Sequence, residues 1–393
     1  MIDAAQRIAL REWRWIRRDR KQVLLVAIAP LVFVAILGLV YSPRKVLHVP
    51  VLIVDQDHST LSRALARAIL ADETYSLGGY ADSSDEFPRW VDQDRAHVCF
   101  VFPHNFERDL RARRGGKVQV VVDASNMLSG SVEVTHAATL LGTFAVGVET
   151  LMIEAKGGVT GTVALNHALP IQIGTRAWFN PGFTSNYLNF LMIGILTIPV
   201  QLAGLLVSIG SGVSEYGERR SAISCVTRNP WSIIAGKVTA YVAIIYPVCM
   251  AVVCTPCLFF GAPMAGSLLT VALVTLWFTA MLVTFSYALS CILADPLFAT
   301  EICALITLPN FLLSGFTWPI FAMPKVLWPF AYGLPMYSFS FMYRKLSVMG
   351  ATASDCLPQM AVLCLWTLLA LGLARYGTYR ILKNGSEAEG SHA

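Results

Sequence analysis

The residues of this sequence that could do chemistry are neutral amides and hydroxyls set in apolar surroundings, together with one short charged cluster. Asn186, Asn189, Ile193, Thr197, Gln201, Gly204 and Ser208 recur so that, at 100° per residue, they fall within about 140° of one helical face. Inside a membrane such a face turns away from lipid, toward a helix bundle or a water-filled path. Gly204, Ser208 and Gly212, four residues apart, would also admit a second backbone, so a transport path and plain helix packing are both open here. Thr307, Asn310 and Ser314 mark a second such face, where Pro309 frees a backbone carbonyl that hydroxyls could satisfy. The charged cluster is Glu215, Glu218, Arg219 and Arg220, between two long uncharged stretches. Its charges are expected in water, where they could fix the register of a docked partner.

Covalent chemistry finds no such support. Neither Gly-Lys pair makes a phosphate-binding loop, since Gly116-Lys117 is followed by Val118 and Gly236-Lys237 by Val238. No serine-elbow or zinc-protease motif is present. Asp55-x-Asp57-His58 suits turn hydrogen bonding better than a metal, and His97 with Cys99 would share a strand face without a second ligand pair nearby. Cys254 and Cys257 have redox spacing but lie in an apolar run, and the nine cysteines form no disulfide framework. Neither metal nor cofactor is expected. Glu301 is the strongest lone signal within an apolar run. If that span begins near Asp295-Pro296, Glu301 lies about one turn in, where a wet interfacial role is as plausible as a transport role.

The elements that position these residues follow from charge. Of 393 residues 55% are hydrophobic and 14% charged, against roughly 25% charged in soluble proteins. No Lys or Arg occurs in 22–43, 177–218, 238–324 or 346–374. The run from Val23 to Val40 is too long for a signal-peptide core, ends without a small-x-small cleavage site, and follows seven basic residues, so it reads as an uncleaved first span with a cytoplasmic N-terminus. Further spans are expected near 184–211, 238–260, 266–292, 298–318 and 357–377. Six spans return Arg375, Arg380 and Lys383 to the cytoplasm; a re-entrant 298–318 would instead place the C-terminus outside. Arg7, Arg11, Arg14 and Arg18 form a basic stripe beside Ile8, Trp13, Trp15 and Ile16, as in an interfacial helix lying on lipid. The net charge of +5 comes largely from this segment and leaves no nucleic-acid footprint.

Residues 44–183 carry 13 basic and 15 acidic residues, a surface that cannot lie in lipid. Strands are expected at Val49 to Asp55, His97 to Phe102 and Lys117 to Asp123. Helices are expected from Ser59-Thr60 to Ala71, from His104 to Arg113 and from Ser129 to Lys156. The fold class is thus an α-helical polytopic membrane protein with six transmembrane helices and an inserted α/β extracytoplasmic domain. Its divisions are an interfacial helix at 1–21, a first span at 22–43, the external domain at 44–183, a five-helix region at 184–377 and a cytoplasmic tail at 378–393. The five-helix region includes a cytoplasmic coupling segment at 212–237 and an extracytoplasmic re-entrant segment at 319–356.

Several blocks carry a family resemblance: Arg11-Glu12 to Asp19-Arg20, Val49-Pro50-Val51 to Asp55-Gln56-Asp57-His58-Ser59, Ser62-Arg63, Arg176 to Pro181, Pro309 to Pro319, and Met323-Pro324 through Pro335 to Gly350. In order and spacing the chain resembles permease subunits of the ATP-binding-cassette type-2 exporters, the branch with a large external domain between the first two spans. It departs where the family usually has Gly-Thr after an acidic-basic-acidic run, showing Arg220-Ser221 instead. The resemblance implies a half-transporter in a bacterial inner membrane that pairs with a second permease, as homodimer or heterodimer, and borrows energy from two cytoplasmic ATPase subunits. Glu215, Glu218, Arg219 and Arg220 would then meet the ATPase, and Asn186, Asn189, Thr197, Gln201, Thr307, Asn310 and Ser314 would line the path. A periplasmic adaptor is a further partner open to the external domain. The competing reading is a membrane-anchored sensor or assembly factor, for which spans need no polar faces; ion-coupled transport would want buried charge pairs in mid-span.

Overall fold

The computed structural model describes residues 2–18, 20–40, 47–112, 114, 116–125, 127–157, 192–213, 215, 226–262, 264–293, 295–316 and 318–390. The chain divides into two compact units, Met1–Ser42 with Leu188–Ala393, and Pro43–Tyr187.

The second unit is built on a four-stranded sheet. β1 (Val49–Asp55) and β3 (Val98–Phe102) are near-continuous apolar runs, as strands covered on both faces require. β1 pairs in parallel with β2 (Tyr75–Tyr80) and with β3, and β4 (Gln119–Val122) closes the far edge antiparallel to β3, giving the order β2-β1-β3-β4. Alternation divides the core. Val51, Ile53, Val98, Phe100 and Phe102 face α3 (Thr60–Ala71) and the first half of α6 (Met127–Gly157), while Leu52, Val54, Cys99 and Val101 face α4 (Phe87–Asp92). Between β3 and β4 runs the short helix α5 (Phe106–Arg111). The β1–β2 register shifts where Gly78 forms a bulge, and a Cβ there would come within 2.3 Å of the Arg95 carbonyl. Asp55 ends β1 by accepting from the Asp57 and His58 amides at 3.1 and 3.0 Å and from the Ser62 hydroxyl at 2.8 Å, beside the Ser59–Ser62 capping box of α3.

The first unit is helical: α1 (Ile2–Arg18), α2 (Arg20–Val40), α7 (Thr197–Leu206), α8 (Ile209–Val213), α9 (Pro230–Phe260), α10 (Leu268–Leu293), α11 (Pro296–Leu312), α12 (Trp328–Gly333), α13 (Pro335–Ser347) and α14 (Leu357–Gly390). Among the described residues, Met192–Gly212, Pro230–Phe260, Leu268–Leu293 and Ala353–Lys383 are long and apolar enough to cross a membrane, whereas Val26–Val40 and Pro296–Leu312 are shorter apolar helices. A fifth long apolar segment, Gly130–Glu154, belongs to α6 in the other unit. There Ala137, Leu140, Leu141 and Phe144 join the sheet core, and Tyr75 donates to the Glu133 carbonyl at 3.0 Å. Asp295 caps α11 by accepting from the Leu297 amide at 2.8 Å, and Glu301 lies about one and a half turns further on an exposed face. Phe339 of α13 stacks on Phe278 at 4.1 Å, and Tyr343 donates to the Val253 carbonyl, fixing α13 against α9 and α10.

Candidate functional site

Two polar constellations lie in the helical unit. The first is the amide and hydroxyl face. Its lower half is packing: a Cβ on Gly204 would meet Leu282 at 2.9 Å, Ser208 donates to the Val283 carbonyl at 3.0 Å, and the Gly212 amide donates to Ser290 Oγ at 3.0 Å. Small residues here let α7 and α8 lie against α10. Above that contact the character changes. Gln201 is 1% exposed and Asn310 2%, and the side-chain oxygens Gln201 Oε1 and Asn310 Oδ1 have no hydrogen-bond partner among the described residues. They stand on α7 and α11, which pack together. A buried amide oxygen left unpaired costs about 1–3 kcal/mol, so these are places where a water or a polar solute would be held.

Thr197, Thr307 and Ser314 are also buried, each bonded within its own segment, to the carbonyls of Gly194 at 2.6 Å, Cys303 at 2.8 Å and Phe311 at 2.6 Å. The expectation that the hydroxyls of Thr307 and Ser314 satisfy the carbonyl freed by Pro309 is therefore not met, because each finds a nearer acceptor on its own turn. Asn186 and Asn189 lie outside the described residues.

The second constellation corrects the reading of the charged connector. Glu215, expected in water with Glu218, Arg219 and Arg220, is 1% exposed. Its Oε1 lies 2.9 Å from Lys237 Nζ on α9 and also meets Arg11. Lys237, 0% exposed, donates in addition to Glu12 Oε1 at 3.1 Å and to the Ser211 carbonyl at 2.9 Å, so all three ammonium protons are used. Arg11 donates to Glu12 at 2.8 Å, and the Tyr241 hydroxyl donates to Glu12 Oε2 at 3.3 Å. Two cations and two carboxylates thus share one buried site, which is how buried charge is tolerated. Burial opposes ionisation of Glu12, but Lys237 and Arg11 outweigh it and hold its carboxyl below the usual range. Glu218, Arg219 and Arg220 lie outside the described residues.

The sequence pattern puts Arg11 in a lipid-facing stripe and gives Glu12, Lys237 and Tyr241 no candidate role. The structure turns Arg11 inward with Ile8, Glu12 and Ile16 and leaves Arg7 and Arg14 exposed. Gly236 makes the contact possible, since a Cβ there would stand 2.6 Å from the Ala5 carbonyl and 2.8 Å from Ile8 Cβ. A signal existed in the sequence: Glu12 and Ile16 share the face of Ile8, so a carboxylate interrupts the apolar side of an amphipathic helix.

No other described cluster competes. His97 sits between Asp94 and Asp123, at 3.2 and 3.5 Å. Among the described residues no three potential ligands gather for a metal. Cys254 and Cys257 are both free, and burial in the sheet core pushes the Cys99 thiol up to about 11, away from reactivity.

The model of the ABC-2 family transporter protein matches residues 20–376. The chain belongs to the ABC-2 transporter family. Among curated relatives of this ABC-2 chain, the probable multidrug ABC transporter permease YbhR of Escherichia coli K12 is 20% identical over 382 residues, covering 94% of this chain and 98% of the relative. The protein of the same name from Escherichia coli O157:H7 matches to the same extent. An ABC-2 permease of this kind is a transport subunit of the membrane that works with an ATPase partner and dimerises.

Proposed function

We infer that this chain is the membrane permease of an ATP-driven exporter, moving a drug, lipid-like or cell-envelope compound out of the cytoplasm or inner membrane by alternating access. The family match from 20 to 376 carries the reading. The amide oxygens of Gln201 and Asn310, without a partner among the described residues and buried in an apolar bundle, support a path for a polar or amphiphilic solute between α7 and α11. Asn186, Asn189, Thr197, Thr307 and Ser314 extend it. In this reading both termini face the cytoplasm of a bacterial inner-membrane protein with six spans, and residues 44–183 form the external α/β domain, open to an adaptor. Glu218, Arg219 and Arg220 present the connector to the ATPase, while the buried Glu215 anchors it from behind. The chain hydrolyses no ATP itself.

The experiment is co-expression with a candidate ATP-binding-cassette ATPase from the same genome. Copurification, with hydrolysis that ceases when the ATPase's phosphate-loop lysine is replaced, supports the reading. An intact chain in the membrane that never retains an ATPase, or that turns over ATP alone after contaminants are excluded, overturns it.

A further inference from the structure

Lys237 is the junction of three elements that the chain brings together from afar. Its acceptors are Glu12 on α1, Ser211 in α8 at the end of the second apolar stretch, and Glu215 at the start of the connector, while Lys237 itself sits about two turns into α9. Its ammonium also lies 5.7 Å from the centroid of the Tyr287 ring on α10. A set of paired charges is a costly way to glue helices, because well-packed apolar residues of similar volume do as well or better. What charges supply instead is a directional tie of defined length between particular groups. Here the tie joins the amphipathic helix α1 and the connector to one membrane helix.

We propose that Lys237 is a positioning residue for energy coupling: through Glu12 and Glu215 it locks α1 and the connector to α9, so that a displacement imposed on the connector by an ATPase moves the third span directly. The inference rests on the exporter reading above. The ammonium touches no substrate. It acts by keeping Glu215 and α1 in fixed register with α9, and Gly236, one residue earlier, allows the helices to approach closely enough for the bonds to form.

The test uses the full permease with its ATPase in proteoliposomes. It measures ATP hydrolysis together with ATP-dependent movement of ethidium and of a fluorescently labelled phospholipid. Lys237→Met alone leaves two buried carboxylates against one cation and is expected to accumulate poorly. Lys237→Met with Glu12→Gln restores neutrality, keeping Arg11 against Glu215. The double variant should insert and copurify with the ATPase, yet transport per ATP should fall at least tenfold, whereas Lys237→Arg should keep most of it. A cluster that only stabilises predicts that the neutral double variant transports as wild type does, and that result overturns the proposal.

If the double variant does not assemble, a disulfide between Ile8→Cys and Ile233→Cys decides, since these residues share one apolar cluster between α1 and α9. Locked elements that move as one should tolerate the link, with transport within about twofold of the reduced protein. Arrest on oxidation, reversed by reductant, overturns the proposal. Wild type that moves neither probe with ATP would instead fail the exporter reading, and this inference with it.

Discussion

Gly236→Ala is the smallest perturbation that strains the helix contact beside the charge cluster. The added Cβ would stand 2.6 Å from the Ala5 carbonyl oxygen and 2.8 Å from Ile8 Cβ, where ordinary contact begins near 3.4 Å. The nearer clash is with backbone, which no side-chain rotation relieves, so α1 must recede from α9 by about 0.8 Å, the difference between 3.4 and 2.6 Å. A shift of that size carries the Glu12–Lys237 contact from 3.1 Å toward about 3.9 Å, beyond hydrogen-bond reach. Overpacking of this kind costs about 1–3 kcal/mol, and weakening a charge-assisted bond adds to it, for a total of about 2–4 kcal/mol. The assay is thermal unfolding of the purified full chain, with Gly372→Ala as control, an exposed helical position where a Cβ meets nothing within 4 Å. The control should be neutral or stabilised by roughly 0.5–1 kcal/mol, from reduced backbone freedom in the unfolded chain. Gly236→Ala should melt several degrees lower. If Gly236→Ala melts at or above wild type while the control behaves as stated, the close approach of α1 to α9 is wrong.

Three further outcomes follow from the same geometry. Phe100, fully buried on β3 and edge-on to Tyr75 at 5.5 Å, should cost about 3–5 kcal/mol when replaced by Ala, read as faster proteolysis within 47–157 of the full chain; unchanged cleavage would contradict the two-faced sheet core. Because the folded state holds Glu12 below its unfolded value of roughly 4.3, its contribution is fully present above that pH and is lost as pH falls through the folded value. The melting gap between wild type and Glu12→Gln should therefore be constant above about pH 5 and narrow progressively as pH falls below it, and a gap that stays constant or widens on acidification would refute the pairing. Gln201→Leu with Asn310→Leu, which removes the two amide oxygens that lack a partner among the described residues, should leave assembly with the ATPase intact and lower export severalfold; unchanged export would exclude these residues from the path.

Much of the architecture is legible because its causes are local. Gaps free of Lys and Arg outline the apolar helices, and the runs from Val49 and Val98 announce buried strands by their β-branched residues. β2 escapes such reading because Tyr75–Tyr80 contains Gly78 and Gly79 and has a bulge, so its apolar alternation is broken; it is recruited by pairing with β1. The charge cluster is illegible for a different reason. Lys237 and Glu12 are 225 residues apart, and each alone resembles a solvated residue at a membrane edge. Only when α1 folds onto α9 does each become the other's counter-ion. Gln201 and Asn310 lie between these cases: polar periodicity marks their helices, but which residues of the face pack and which stay unpaired depends on where α10 lies.

The central claim, ATP-driven export through this chain, is tested most directly by proteoliposomes holding the permease and its ATPase, loaded with an ATP-regenerating system. The account predicts movement of ethidium or labelled phospholipid that requires both proteins and stops when the ATPase's phosphate-loop lysine is replaced. Equal movement without ATP, or with the ATPase omitted, would contradict it.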